Sequence, residues 1–355
     1  MILSRYVLFK TLSSIFMVLL IFGSLMFLLS YADEMARRGD ENFNSYHVLI
    51  YTLLSIPSEI YEFAPFVVMI GTLVSIGGLA ASSELTAIRA TGVSMARLLS
   101  TILMPALIAT SMLFVVGEVF APTLKQEANF YRADVRNQNT QVRLGSWYQS
   151  GNKIIHVGDF TSTELAGNLF LIELDDRDRV ATTTEAEGVL LTPTEWQLEN
   201  VSVTDWSSRS GQSVFTRQDM SSSVILPPIS TTLIYNLSRS LNVLSLPELW
   251  QRVAFQDASA VVDPVVALRL WERLSAPLLT MTLSFIGIAF VFGSTRSISM
   301  GARIFMGVAL GLVLQIAQQF FGPIGLFIGM RPAIAATLPV FLAFGLGVYL
   351  FRKNT

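Results

Sequence analysis

Six stretches of roughly 20 apolar residues, each long enough to cross the hydrocarbon core of a bilayer, constrain this chain more than any other feature. They cover residues 12–31, 63–81, 98–120, 274–292, 304–321 and 332–350. Charged residues make up only 14% of the 355, against about 25% in an ordinary soluble domain. Lipid therefore replaces water around much of the surface. Ser30-Tyr31-Ala32 has the look of a cleavage site after the first stretch. A secretory apolar region runs only about 7–15 residues, however, so the longer stretch here reads as an uncleaved span. The net charge of −2 gives no basic excess for nucleic acid. With no cysteines, disulfides and thiolate metal sites are excluded. The only histidines, His47 and His156, lie far apart, and no HExxH pattern occurs.

Lysine and arginine set the orientation. With the amino terminus inside, the inner segments hold Arg5, Lys10, Arg89, Arg97, Arg296, Arg303, Arg352 and Lys353, with Glu84 as their only acid. The first outer loop holds Arg37 and Arg38 against Asp33, Glu34, Asp40, Glu41, Glu59 and Glu62. Both termini are thus expected in the cytoplasm. The long polar insertion between the third and fourth spans is expected outside, in the periplasm if the cell has an outer membrane.

That insertion changes period. From about Val142 to Leu244 apolar residues alternate with polar ones between turn residues. Trp147-Tyr148-Gln149 and Lys153 to Val157 flank Ser150-Gly151-Asn152 and read as a hairpin. Leu169 to Leu174 reads as a strand, Asp175 to Asp178 as a turn, and the run through Trp196, Leu198, Val201 and Val203 as further strand. Many short strands with frequent turns predict a sandwich or jelly roll. Its buried face is either a closed core or a groove open to a ligand. Ser245-Leu246-Pro247-Glu248 has the spacing of a capping box and predicts a helix start. Asp263-Pro264 reads as an N-cap followed by proline at the first helical position. The expected fold is therefore a membrane α-helical protein of six spans with an inserted all-β, jelly-roll-like domain. The expected divisions are 1–125 (three spans), 126–262 (β-domain with flanking helices) and 263–355 (three spans).

The spans are almost free of charge, with only Glu118 near an outer end. That argues against a proton relay, which keeps ionisable groups in mid-membrane. A P-loop needs a Gly-Lys dipeptide, whereas Lys10, Lys125, Lys153 and Lys353 follow Phe, Leu, Asn and Arg. If transport is active, a partner must supply the energy. The cytoplasmic segment 83–94 looks built to receive it. Ser82 or Ser83 can cap its start, Glu84 suits the positive helix end, Leu85 and Ile88 share a face, and Gly92 can stop it. A short amphipathic helix of this kind fits a groove in a partner. The alternative is an ordinary connecting helix on the membrane surface.

Glu84 to Ser94 resembles the coupling helix of the lipopolysaccharide export permease family. The resemblance continues in Ala121-Pro122, Tyr131-Arg132-Ala133, Phe292 to Ser297, Met300 to Ile304, Phe321-Gly322-Pro323 and Gly329-Met330-Arg331-Pro332. It covers essentially the whole chain, lies nearer the LptG type than the LptF type, and departs at Arg331-Pro332, where the family often has two prolines. The resemblance implies a permease subunit in the inner membrane of a Gram-negative bacterium. It implies a heterodimer with a paralogous permease, a cytoplasmic ATPase dimer holding ATP and magnesium, a single-span bridge subunit and a soluble periplasmic bridge protein. No cofactor and no catalysis fall to this chain. Lipopolysaccharide would enter from the outer leaflet and leave along the bridge. The principal alternative is an ATP-coupled membrane protein that transmits force without moving lipid. Such proteins generally have four spans.

Under that resemblance, Glu84 contacts the ATPase, with Leu85, Ile88, Arg89 and Gly92 completing the coupling segment. A capping acid is the plainer reading of Glu84. Lys125, Arg132 and Arg136 fall within about 40° of one helix face and suit lipid phosphates, or else are a solvated stripe paired with Glu127 and Asp134. Arg37 and Arg38 are further phosphate candidates, or pair with nearby acids. Gly307 and Gly311 form a GxxxG pattern that serves as a gate or as static packing. Gln315 is expected either to hydrogen-bond between helices or to line the cavity. Phe63, Phe66, Phe320 and Phe321 become acyl-chain contacts only through the resemblance.

Overall fold

The computed structural model describes residues 2–37, 43–136, 147–158, 165–206, 208–209, 212–213, 215–258, 263–291 and 300–354. The helices before the insertion are α1 (Ile2–Ala36), α2 (Ser45–Glu62), α3 (Ala64–Ala81), α4 (Glu84–Ala90), α5 (Met95–Val119) and α6 (Ala121–Val135). Strands β1 (Trp147–Ser150), β2 (Lys153–Val157), β3 (Leu165–Ala166), β4 (Leu169–Leu174), β5 (Val180–Leu191), β6 (Trp196–Asp205), β7 (Ser208–Arg209), β8 (Gln212–Ser213) and β9 (Thr216–Ile225) follow. Then come α7 (Thr231–Ser238), α8 (Leu246–Ala258), α9 (Pro264–Val291), α10 (Met300–Phe327) and α11 (Pro332–Asn354). Two compact units result. One holds residues 1–38, 48–125 and 267–355; the other holds 39–47 and 126–266.

Among the described residues, five helices are long and apolar enough to cross a membrane: Ser4–Ala36, Ala64–Ala81, Arg97–Val135, Ile304–Phe327 and Pro332–Lys353. The expected fourth span falls in α9, whose first third carries Arg269, Glu272 and Arg273 and whose end adjoins 292–299, outside the described residues. Helix α2 is absent from the period-based reading, which expects only a loop there.

Helix α3 is the most deeply buried of the five. Small residues let neighbours close on it, as they do where lipid gives no hydrophobic drive between helices. A Cβ built on Gly71 would lie 2.5 Å from the Ile15 Cα of α1, on Gly311 of α10 2.3 Å from the Met69 Sδ, and on Gly287 of α9 3.0 Å from the Leu73 side chain. Thr11 and Ser75 share a buried hydrogen bond of 2.9 Å between α1 and α3. At Gly71 the obstacle is backbone, which cannot swing aside. Gly71→Ala should therefore lower the stability of the detergent-solubilised protein by about 1–3 kcal/mol, the usual cost of overpacking. Gly78→Ala, whose Cβ would meet nothing within 4 Å, should be neutral or mildly stabilising in the same melting experiment.

The link between α10 and α11 explains one of the resemblance-bearing motifs. Gly329 takes φ +81°. The Met330 N–H reaches the Gly325 carbonyl at 2.9 Å, and the Gly329 N–H reaches that of Leu326 at 3.0 Å. This is the Schellman pattern, in which glycine at the left-handed position ends a helix. Pro332 then opens α11, its missing N–H costing nothing there.

In the second unit the expected hairpin forms, with Ser150 opposite Lys153 and Gly151 at φ +60° in the first turn position. One arm of the expected capping box at α8 forms, the Ser245 N–H donating to the Glu248 carboxylate at 2.7 Å, while the Ser245 hydroxyl donates to the same carboxylate at 2.8 Å. The described strands pair as one antiparallel sheet in the order β1-β2-β4-β5-β6-β9, with β3 on β5, and β7-β8 make a separate small pair. The hairpin and the strands at Leu169–Leu174 and Trp196–Asp205 are legible in local periodicity; which edges meet is not. The inner face presents Ile155, Val157, Leu169, Leu171, Leu191, Trp196 and Leu198, and Ile234, Tyr235 and Leu237 of α7 pack against it. That part of the face is a helix-covered core.

Candidate functional site

The connection between α3 and α5 is tightly built. Ser83 sits at φ +61°, and its carbonyl accepts the first α4 hydrogen bond, from Ala87 N–H at 3.0 Å. Gly92, at φ +82°, ends the segment as the sequence predicts, and Ser94 caps α5 by accepting from Arg97 N–H. Leu85 and Ile88 correct the expectation of an apolar face for a partner. Each is only 7% exposed, in one cluster with Val7, Ile76, Leu79 and Leu98. A seven-residue helix between two spans buries its only apolar pair against its own neighbours. The outward face consists of Thr86, Ala87, Ala90, Thr91 and Gly92. The Arg89 side chain lies outside the described residues.

Glu84 uses both carboxylate oxygens within the chain. Tyr6 Oη donates to Oε2 at 2.8 Å, while Lys10 Nζ and Ser82 Oγ donate to Oε1 at 3.1 and 2.8 Å. Lys10 Nζ also bonds Tyr6 Oη at 3.1 Å, which closes a triangle. Hydrogen bonds from Tyr6, then from Ser82 and Lys10, hold the Glu84 carboxyl below the usual carboxylate value. A lowered pKa keeps the charge, and with it the triangle, above the ordinary carboxylate range, and the triangle is lost only as pH falls through the lowered value.

The cationic candidates have intramolecular partners. Lys125 Nζ reaches Tyr51 Oη at 3.4 Å and lies 5.1 Å from the ring centroid. Arg136 lies 4.6 Å from the Phe43 ring. These are cation–π contacts to residues in and before α2. Arg132 is half-buried. The boundary between the two units follows Lys125, so Lys125 belongs to the first and Arg132 and Arg136 to the second. Arg37 pairs with Asp33 at 3.1 Å, exposed on both sides, and such pairs contribute little. Arg38 lies outside the described residues.

Of the cavity candidates, Phe66 is buried in the α3 core, which corrects its place as an acyl-chain contact. Phe63 is half-buried and packs on Phe22 of α1 with ring centroids 5.4 Å apart. Gly307 is buried. Gly311 abuts Met69 of α3. The Oε1 atoms of Gln315 and Gln318 are buried without a hydrogen-bond partner. Phe320 is exposed and Phe321 half-buried.

One cluster escapes the sequence reading. Tyr61 of α2 donates to Glu118 Oε1 of α5 at 2.6 Å, and Arg273 Nη1 of α9 meets the same oxygen at 3.3 Å. The guanidinium lies 5.7 Å from the Tyr61 ring centroid. Gly117 makes the room, since a Cβ there would fall 2.0 Å from the tyrosine ring. A lone acid at a span's end is itself a signal for such a cation.

Comparison with known proteins matches residues 5–353 to the family of the lipopolysaccharide export system permease LptF/LptG. The lipopolysaccharide export system permease protein LptG of Escherichia coli (strain K12) is 24% identical over 358 residues, covering 100% of this chain and 99% of that protein. The protein of the same name from Haemophilus influenzae is 22% identical over 354 residues, covering 96% and 95%.

Proposed function

The chain belongs to the lipopolysaccharide export system permease LptF/LptG family, and from that premise we propose that it is the LptG-type subunit of an ATP-driven exporter. It extracts lipopolysaccharide from the outer leaflet of the inner membrane and passes it to a periplasmic bridge. The observation that carries this reading is the match along the full length, across both the spans and the β-unit. In the full reading six spans cross the membrane, both termini are cytoplasmic, and the β-unit stands in the periplasm as part of a jelly-roll bridge. A paralogous permease completes the cavity. A cytoplasmic ATPase dimer binds ATP and magnesium and presses on the outward face of α4. A single-span subunit and a soluble protein extend the bridge. The chain itself is not catalytic.

Lys125, Arg132 and Arg136 are the proposed contacts for lipid phosphates, to which lysine and arginine bring charge-assisted hydrogen bonds. An apolar path shields acyl chains at about 0.8 kcal/mol per methylene, which is why a bridge is needed at all.

The experiment places a photo-crosslinking amino acid at exposed Phe320, at exposed Trp147 and, as a control, at buried Phe66. The chain is co-expressed with its paralogue and ATPase in native membranes, and adducts are blotted for lipopolysaccharide. Adducts at Phe320 and Trp147 but not Phe66, with the Trp147 adduct dependent on ATP, are expected. Adducts at Phe320 alone would reduce the β-unit to a docking surface. None at any position, with the complex intact, would favour a force-transmitting protein that moves no lipid.

A further inference from the structure

Glu84 makes too many contacts inside its own chain to be read only as a surface for a partner. Its carboxylate joins α4 to Tyr6 and Lys10, which lie one turn apart on α1. The same face of α1 continues through Val7, in the cluster that buries Leu85 and Ile88, and Thr11, bonded to Ser75 of α3. The α4 helix is therefore attached to the cytoplasmic end of α1 by an apolar contact and by a three-cornered polar one.

The polar tie is not what keeps α4 in place. Glu84 and Lys10 are each about a third exposed, and ion pairs so exposed add little stability. Leu85 and Ile88 already hold the helix down. What the triangle adds is direction. Two oxygens fixed by a phenol and an ammonium one turn apart set the rotation of α1 about its axis relative to α4, which an apolar contact alone leaves loose.

We propose that Tyr6, Lys10 and Glu84 form a positioning tie that makes α1 move with α4 when the ATPase acts. Tyr6 and Lys10 are then positioning residues for transport, and Glu84 acts through them. The inference rests on the ATP-driven reading above and deepens it. It makes α1 follow the coupling segment alongside α3 and α5, to which α4 is joined in the chain.

Proteoliposomes holding the chain with its paralogue, the ATPase, the single-span subunit and the soluble bridge protein provide the test. The measurements are ATPase co-purification, ATP hydrolysis, and lipopolysaccharide transferred per ATP hydrolysed. Lys10→Glu and Tyr6→Phe combined should keep co-purification and hydrolysis but cut transfer per ATP by about tenfold or more, and the exchange Lys10→Glu with Glu84→Lys should restore most of it. Tyr6→Phe alone, which removes one hydroxyl, guards against misfolding and should give a smaller loss of the same kind. Full transfer in Lys10→Glu would overturn the tie. So would loss of ATPase co-purification in both Glu84→Lys and the exchange pair, because Glu84 would then be a direct partner contact. Absence of ATP-dependent transfer by the unmodified complex would instead overturn the exporter reading itself.

Discussion

Replacing Arg273 with alanine is expected to destabilise the membrane unit by about 3–5 kcal/mol, the cost of leaving a buried charge without its partner. The Glu118 side chain is 9% exposed and that of Arg273 15%. Removing the guanidinium leaves the carboxylate its hydrogen bond from the Tyr61 hydroxyl but takes away the Arg273 charge. Neutralising the acid as well, in Arg273→Ala with Glu118→Gln, should recover much of the loss. The Tyr61 hydroxyl still has an acceptor, and no charge remains. Tyr61→Phe alone should cost less, about 1.5–3 kcal/mol for a hydrogen bond to a charged group. Thermal unfolding in lipid nanodiscs reads all three. A melting curve for Arg273→Ala that overlays the unmodified protein would mean that water reaches Glu118, and the cluster would then not be a clamp between α2, α5 and α9.

The same cluster shows what a linear reading recovers. Lipid demands long uncharged segments, so the spans are written in composition and need no partner to be seen. The β1–β2 hairpin and the Ser245–Glu248 box are equally local: a two-residue turn and a three-residue reach. The contacts of Glu84 are not, since Tyr6 and Lys10 lie 78 and 74 residues away. Spacing shows that Leu85 and Ile88 share a face but not which neighbour that face meets. Helix α2 hides for another reason. Its stretch is rich in β-branched and aromatic residues and carries Pro57 inside, so propensity points away from a helix that tertiary packing nevertheless forms. With α2 hidden, Tyr51 and Tyr61 are hidden too, and Lys125 and Glu118 appear lone when each has a tyrosine beside it.

For the β-unit, Trp196→Ala should have a similarly large effect, about 3–5 kcal/mol for truncating a buried aromatic. Trp196 is fully buried, and its indole Nε1 donates to Thr231 Oγ1 at 3.0 Å. The threonine in turn donates to the Thr192 carbonyl at 2.8 Å, at the turn between β5 and β6. One side chain thus fixes the turn, the inner face of the sheet and the start of α7 together. Trp196→Phe keeps most of the apolar volume and should cost less than half as much. Thr231→Val leaves the indole N–H buried without a partner, at about 1–3 kcal/mol. Because the chain forms two compact units, a single two-state transition is not expected. Limited proteolysis should show cleavage rising within residues 126–266 in Trp196→Ala while the α3-centred helices stay protected. A matching rise in cleavage of the helices would mean that the sheet's core is required for the fold of the spans as well. In an exporter, loss of the β-unit alone should leave the Phe320 adduct in place and abolish the Trp147 adduct, which separates loading of the cavity from delivery beyond it.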